Sequence, residues 1–265
     1  MNKYQIGIMQ GRVIPEKLNE LQVFPKKYWK NEIIKISKLG FDHVELLWDK
    51  KGVIKEYPDI FSIIKKISNL SVPSICVDTV TSLKNYSELI DELHEIITFF
   101  GHNIPKILVM PLLENMSLKN HKNLRNLIDK ITNDHIYETL KSNQVVLSLE
   151  LDLKAKEILE VFSNLNDPLF SLCLDTGNFW QISENPEEEL LALLPFVNHI
   201  HVKDKDTNGN NVMLSSGIVN FDFIFKILKS NNYSRYISLE TNYFKEPAKE
   251  ALDNLNFIKQ YEKLS

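Results

Sequence analysis

Glu150, Asp175, His201 and Glu240 sit at or near the ends of short apolar, β-prone runs: Val145-Val146-Leu147-Ser148-Leu149-Glu150, Leu172-Cys173-Leu174-Asp175, Ile200-His201-Val202 and Tyr236-Ile237-Ser238-Leu239-Glu240. Acidic residues are depleted in strands, so a carboxylate closing such a run asks for a reason. The four are about 25 to 40 residues apart, the length of one strand-plus-helix unit. At the carboxyl ends of successive parallel strands, three carboxylates and an imidazole converge on one divalent cation. That donor set is hard to borderline and suits Mn²⁺ first, with Co²⁺, Mg²⁺ or Zn²⁺ as alternatives. A structural zinc site would be closed and richer in Cys or His. Two substitutes stand close by in sequence: Asp152 for Glu150, and His199 for His201 in a slipped register.

Strand-like runs recur along the whole chain at 5–9, 42–47, 73–77, 106–110, 145–149, 170–174, 198–202 and 236–239. Several are almost continuously apolar, as expected of a parallel sheet covered by helices. Trp29, Ile33, Ile36 and Leu39 repeat at helical spacing, and Gly40 follows as a C-cap. Ile60, Ile63, Ile64 and Ile67 repeat likewise after Pro58-Asp59, as do Phe221, Ile224, Phe225 and Leu228 before Asn231-Asn232. A last helix is expected from about Pro247 to Tyr261. Eight strands alternating with helices predict a single (β/α)₈ TIM barrel over residues 1–265, with its active site at the C-terminal ends of the strands. An open doubly wound sheet would show a Gly-rich phosphate turn after its first strand, and only Gly11 is there. The Asn- and Lys-rich stretch 115–133 reads as a long surface loop leading into a helix.

Composition is that of an ordinary globular chain: 265 residues, 43% hydrophobic, 25% charged, formal net charge −4. The basic residues are scattered, so no nucleic-acid footprint is expected. Cys76 and Cys173 lie in apolar runs and read as buried free thiols. Residues 1–9 lack the apolar core of a signal peptide, and no run approaches the ~18 residues of a membrane span. A cytoplasmic protein is expected, with no membrane contact.

The chain resembles the xylose-isomerase-like TIM barrels, the large group of sugar isomerases and epimerases that also includes AP endonucleases. The ligand order Glu, Asp, His, Glu on strands five to eight is similar to that of ketose 3-epimerases and hydroxypyruvate isomerases. Other matching segments are Ile6-Gly7-Ile8-Met9-Gln10-Gly11-Arg12, Leu39-Gly40-Phe41-Asp42-His43-Val44-Glu45, Leu174-Asp175-Thr176-Gly177-Asn178 and His199-Ile200-His201-Val202-Lys203-Asp204. The first of these, with Phe24-Pro25 and Trp29 after it, looks like a bacterial subgroup of sugar phosphate isomerases/epimerases. The resemblance implies a metal-dependent isomerase/epimerase of a small-molecule sugar or sugar phosphate, working by proton transfer through a metal-stabilised enediolate. It makes Glu150 and Glu240 the acid/base pair as well as metal ligands, flanking the substrate carbon from opposite faces. A carbon acid beside a ketone needs such a cation before a carboxylate can deprotonate it. It also implies that two copies can pair through outer helices.

The pattern departs from the ketose 3-epimerases at Lys156, Asn178 and Thr207, where they hold the sugar with Glu, His and Arg. A basic Lys156 and neutral Thr207 imply a different substrate. Arg12, Lys203 and Lys205 can face a phosphate or carboxylate, Glu45 and Asp78 a sugar hydroxyl. Trp48, Phe179, Trp180 and Tyr243 follow strand ends closely and can form an apolar wall. The expected substrate-binding residues are thus Arg12, Glu45, Trp48, Asp78, Lys156, Asn178 and Lys203. Rival functions are a dehydratase or lyase using the same metal-enediolate chemistry, and a non-catalytic barrel. An AP endonuclease would need a trinuclear zinc cluster with further histidines, but Asn178 and Asp78 stand at two of those positions and His43 begins its strand. His94, His102, His121 and His135 fall in helices or loops and are expected to play no catalytic part.

Overall fold

The expected runs become strands because both of their faces are buried, by helices outside and by converging side chains inside. In this computed structural model, which describes residues 4–17, 21–119 and 121–263, they are β1 (Gln5–Met9), β2 (His43–Trp48), β3 (Ser74–Val77), β4 (Ile107–Leu112), β5 (Val146–Leu151), β6 (Phe170–Asp175), β7 (Val197–Val202) and β8 (Tyr236–Leu239). Each pairs in parallel with the next, and β8 closes onto β1. The molecule is a (β/α)₈ barrel. Residues 1–3 of the N-terminal segment and the side chain of His121 lie outside the described residues.

Around the strands run α1 (Trp29–Leu39), α2 (Ile60–Ile67), α3 (Tyr86–Phe100), α4 (His121–Thr132), α5 (Ile136–Ser142), α6 (Ala155–Leu165), α7 (Thr176–Ile182), α8 (Pro186–Leu193), α9 (Phe221–Ser230) and α10 (Pro247–Lys263). The four helices expected from spacing start where expected, and α1 ends on Gly40 at φ 90°. The stretch 115–133 is not mainly loop: α4 fills most of it, its buried Leu124, Leu127 and Ile131 repeating at three or four residues. No helix among the described residues is long and apolar enough to cross a membrane.

The apolar interior falls into two parts. A large layer between sheet and helices surrounds a small cluster of Met9, Leu47, Cys76, Ile107, Val109 and Cys173. Both cysteines are buried and free. Much else inside the barrel is polar. Side chains two apart share a face, which groups Ser148 with Glu150, Ser171 and Cys173 with Asp175, and His199 with His201. Gly7 makes room for this filling, since a Cβ there would sit 2.2 Å from the His43 ring.

One irregularity positions the functional end. Leu172 pairs with Val197, but the next residue, Cys173, pairs with His199, so β7 gains one residue on β6. Asp175 therefore stands beside His201 rather than Ile200. A bulge re-aims side chains in this way.

Candidate active site

The donor atoms of Glu150, Asp175, His201 and Glu240 all lie within 4.8 Å of one another, and all four residues are buried. His201 Nδ1 is 3.2 Å from Glu240 Oε2 and 3.8 Å from Glu150 Oε2. Lys203 Nζ bridges Asp175 Oδ2 at 2.8 Å and Glu240 Oε2 at 3.0 Å. Asn178 donates from Nδ2 to Glu150 Oε1 at 3.1 Å, and its backbone N–H caps α7 on Asp175 Oδ1 at 2.8 Å. The competing Asp152 is half-buried outside this cluster, where it accepts from Ser117 Oγ at 2.6 Å and Lys119 Nζ at 2.9 Å.

Three carboxylates in one buried place repel. Burial and the charges of Glu240 and Asp175 push the Glu150 carboxyl up to about 7. Burial would raise Glu240 as well, but Lys203, His201 and Arg12 outweigh it and hold its carboxyl below the usual range. Burial opposes the Lys203 charge, yet Asp175, Glu240 and Glu150 raise its ammonium above the ordinary value. The cluster thus attracts positive charge. Asp175 Oδ2, Glu240 Oε2 and His201 Nδ1 are within ion-pair reach of one another or of Lys203, but none has a partner in hydrogen-bond geometry among the described residues. Three buried, undirected donors beside a third carboxylate, that of Glu150, suit a divalent cation, and these residues fit one.

Beneath the cluster lies a second polar layer centred on Glu45. Its Oε1 accepts from His201 Nε2 at 2.8 Å, and its Oε2 pairs with His199 Nε2 at 2.5 Å. Ser74 Oγ and Ser238 Oγ donate to Oε2 at 2.9 and 2.8 Å. Fixing Nε2 of His201 turns Nδ1 towards the carboxylates, an arrangement common behind metal-bound histidines.

The expected substrate-binding residues divide. Arg12, Lys203 and Asn178 touch the cluster, Arg12 Nη2 standing 3.6 Å from Glu240 Oε1. Asp78 is buried, its carboxyl raised by burial and by the charges of Glu240 and Asp49 against Lys50 and Arg12. Three residues do otherwise. Glu45 is fully buried and engaged as above, so it does not reach a sugar hydroxyl. Trp48 ends its strand facing outwards, its Nε1 donating to Glu92 and its ring packing on Phe99 and Phe100. Lys156 is exposed on α6, where period 3.6 carries it off the buried face of Ala155, Ile158 and Phe162. Of the other aromatics, Phe179 and Trp180 pack edge to face at 5.8 Å, and Tyr243 donates to the Lys17 carbonyl.

Sequence reasoning missed Gln22 and Glu32. Gln22, at φ 56°, donates from Nε2 to Glu240 Oε1 at 2.7 Å and accepts from Arg12 Nη2 at 3.2 Å. Glu32 is buried on the apolar face of α1, where it accepts from the backbone N–H groups of Gly11, Val13 and Ile14 and so holds the loop carrying Arg12. A charge at a core position of an otherwise regular helical pattern was the available signal for Glu32. Gln22 had none.

A family model for xylose isomerase-like TIM barrels matches residues 33–261. Inosose dehydratase 1 of Bacillus cereus is 24% identical, covering 77% of this chain and 82% of that protein. A 3-keto-D-glucoside 4-epimerase from E. coli superposes with a TM-score of 0.71 at 16% identity, covering 97% of this chain and 100% of its own. A xylose isomerase-like TIM barrel protein from Mycobacterium smegmatis, solved in complex with magnesium, gives 0.71 at 15% identity over 97% of this chain and 96% of its own. The structural likenesses, at such identities, establish the fold. The family match spans most of the chain, including all four clustered residues: the protein belongs to the xylose isomerase-like TIM barrel family.

Proposed function

We propose that the protein is a divalent-metal-dependent isomerase or epimerase of a sugar or sugar phosphate, moving a proton on a carbon beside a carbonyl. The observation that carries this reading is the pair Glu150 and Glu240, two buried carboxylates of one cluster pushed in opposite directions. Titratable neighbours driven apart in this way are suited to separate acid and base roles. A divalent ion held by Glu150, Asp175, His201 and Glu240, with Mn²⁺ the first choice and Co²⁺, Mg²⁺ or Zn²⁺ the others, would stabilise negative charge developing on the substrate's oxygen. Glu240, kept ionised by Lys203 and Arg12, is the base. Glu150, ionised once it holds the ion, relays a proton back to the substrate and is not a standing acid. From opposite faces of a carbon the two epimerise; one carboxylate serving adjacent carbons isomerises. Among the described residues Arg12 keeps Nε and Nη1 buried with no hydrogen-bond partner, which supports an oxygen-rich, anionic substrate.

A dehydratase is the second reading. Lys203 places an ammonium 3.0 Å from Glu240, a positive charge that can steady a departing hydroxyl beside the base that starts elimination. The likeness to an inosose dehydratase favours the same chemistry.

Incubation with Mn²⁺ in D₂O and a panel of ketoses, sugar phosphates and inososes, followed by NMR, tests both. Deuterium next to the carbonyl without loss of water supports the isomerase or epimerase. Water loss with formation of an unsaturated ketone supports the dehydratase. Metal-loaded protein that neither exchanges a C–H of any panel member nor releases water from it overturns both in favour of the non-catalytic barrel.

A further inference from the structure

The outer helices carry another group of metal-competent donors, independent of the function proposed above. His94 on α3, Asp134 in the turn between α4 and α5, and His135 at the start of α5 bring one donor atom each within 4.8 Å of the others. His94 Nε2 stands 2.8 Å from Asp134 Oδ1, and His135 Nδ1 stands 3.3 Å from the same oxygen. The imidazole rings lie 4.5 Å apart, tilted by 32°.

All three come from ordered elements. Ile90, Leu93 and Ile96 anchor α3 in the core and so fix the height and direction of His94. Asp134 Oδ1 accepts the Ile136 N–H at 2.9 Å, which pins the carboxylate over the start of α5. The carbonyl of His135 accepts the Thr139 N–H, placing His135 on the first turn of that helix.

A simple surface ion pair needs one histidine. Here a second, with a side chain 81% exposed, turns back onto the same carboxylate and the first ring. In a tetrahedral zinc site with ~2.0–2.1 Å bonds, donor atoms stand about 3.3 Å apart. The His135 separation to Asp134 Oδ1, 3.3 Å, matches that spacing, and the His94 separation, 2.8 Å, is half an ångström short of it, so a small shift of the His94 ring opens the triad to a cation. Two imidazoles and one carboxylate form a borderline donor set that suits Zn²⁺, unlike the carboxylate-rich barrel cluster. Solvent completes the coordination, because His94 and Asp134 are themselves about a third exposed.

We propose that His94, Asp134 and His135 form a surface zinc site that clamps α3 to the α4–α5 turn. Zn²⁺ alone is the probe, and the whole chain is used. Dialysed against zinc on the order of 10 µM, the wild-type chain is expected to retain about one more ion than His94→Ala/His135→Ala, and zinc should raise its unfolding midpoint by several degrees more. His135→Ala alone changes an exposed side chain, so it should unfold like wild type in EDTA yet lose the extra zinc. Asp175→Ala should keep the extra zinc, which makes the outcome readable whether or not the barrel cluster binds metal. Equal zinc contents in wild type and the two histidine variants, or an equal midpoint shift, overturn the proposal.

Discussion

Two polar layers fill the inside of this barrel, and His201 belongs to both. Around Glu45 one carboxylate meets two imidazoles and two hydroxyls, and every residue of the layer is sealed from solvent. Burial would lift the Glu45 carboxyl, but His201 and His199 hold it well below the usual range. One layer above, three carboxylates share one imidazole, one ammonium and, at 3.6 Å, the Arg12 guanidinium, and one of the three is pushed up to about 7. Both layers consist of buried acids and histidines. The difference lies in the carboxylates: Glu45 is a single charge met by two imidazoles and two hydroxyls and serves as scaffold, while three carboxylates crowded together are a place for something to bind.

The largest effect should come from removing a member of the upper layer that nothing else replaces. Asp175→Ala is expected to lose bound metal and turnover together, checked by elemental analysis and assay; Asp175→Asn, which can still cap α7, should separate lost metal from a lost cap. Glu240→Gln should keep part of the metal affinity but lower turnover on the order of 10² to 10⁴-fold. Full turnover in that variant would make Glu240 a ligand and not a base. In the lower layer the loss should appear as stability. Glu45→Ala leaves two buried imidazoles without their acceptor and is expected to cost about 3–5 kcal/mol in urea unfolding. A cost of the same size for Glu150→Gln in metal-free protein would erase the distinction between the layers.

The raised Glu150 carboxyl gives a pH signature. In metal-free protein it titrates at about 7, against an ordinary value of 4.5 in the unfolded chain. Between those limits the folded chain binds the extra proton, so the contribution to stability is fully present below about 4.5 and lost as pH rises through about 7. The loss is on the order of 3 kcal/mol. His43, held down to about 3 by burial and His199 against Glu45, contributes with the opposite sign below 6.5. The measured quantity is therefore the difference between wild type and Glu150→Gln in chelator from pH 5 to 8. Saturating Mn²⁺ should flatten that difference, because a coordinated carboxylate is ionised; an unchanged difference would argue against Glu150 as a ligand.

The barrel was legible because its signals are local: apolar runs for strands, spacing of three and four for helices, Gly40 for a stop. The upper layer was legible because Glu150, Asp175 and Glu240 break apolar runs at their ends. Choosing Glu150 over Asp152, and separating the roles of His201 and His199, needed geometry. The β6–β7 bulge that pairs Asp175 with His201 leaves no trace in composition. Glu45 and Trp48 illustrate the limit of strand-end reasoning. Glu45 faces inwards but is consumed by its neighbours, and Trp48 faces the helices. Alternation fixes a side, but satisfaction depends on partners up to 193 residues away, as Ser238 is from Glu45.

Gln22 should give the smallest effect and sharpen where the upper layer ends. Its amide donates to Glu240 Oε1 at 2.7 Å and receives Arg12 Nη2 at 3.2 Å, linking the guanidinium to the carboxylate without touching Oε2, the atom nearer His201 and Lys203. A hydrogen bond to a charged group contributes about 1.5–3 kcal/mol where burial is complete. Arg12 remains 3.6 Å from Glu240 to compensate, so Gln22→Ala is expected to lower kcat about 5- to 10-fold with metal affinity unchanged. Gln22→Glu places a like charge against Glu240 and should cost more, largely through metal binding. A rise in KM at constant kcat would instead make Gln22 a substrate contact, and the upper layer would then end at Arg12.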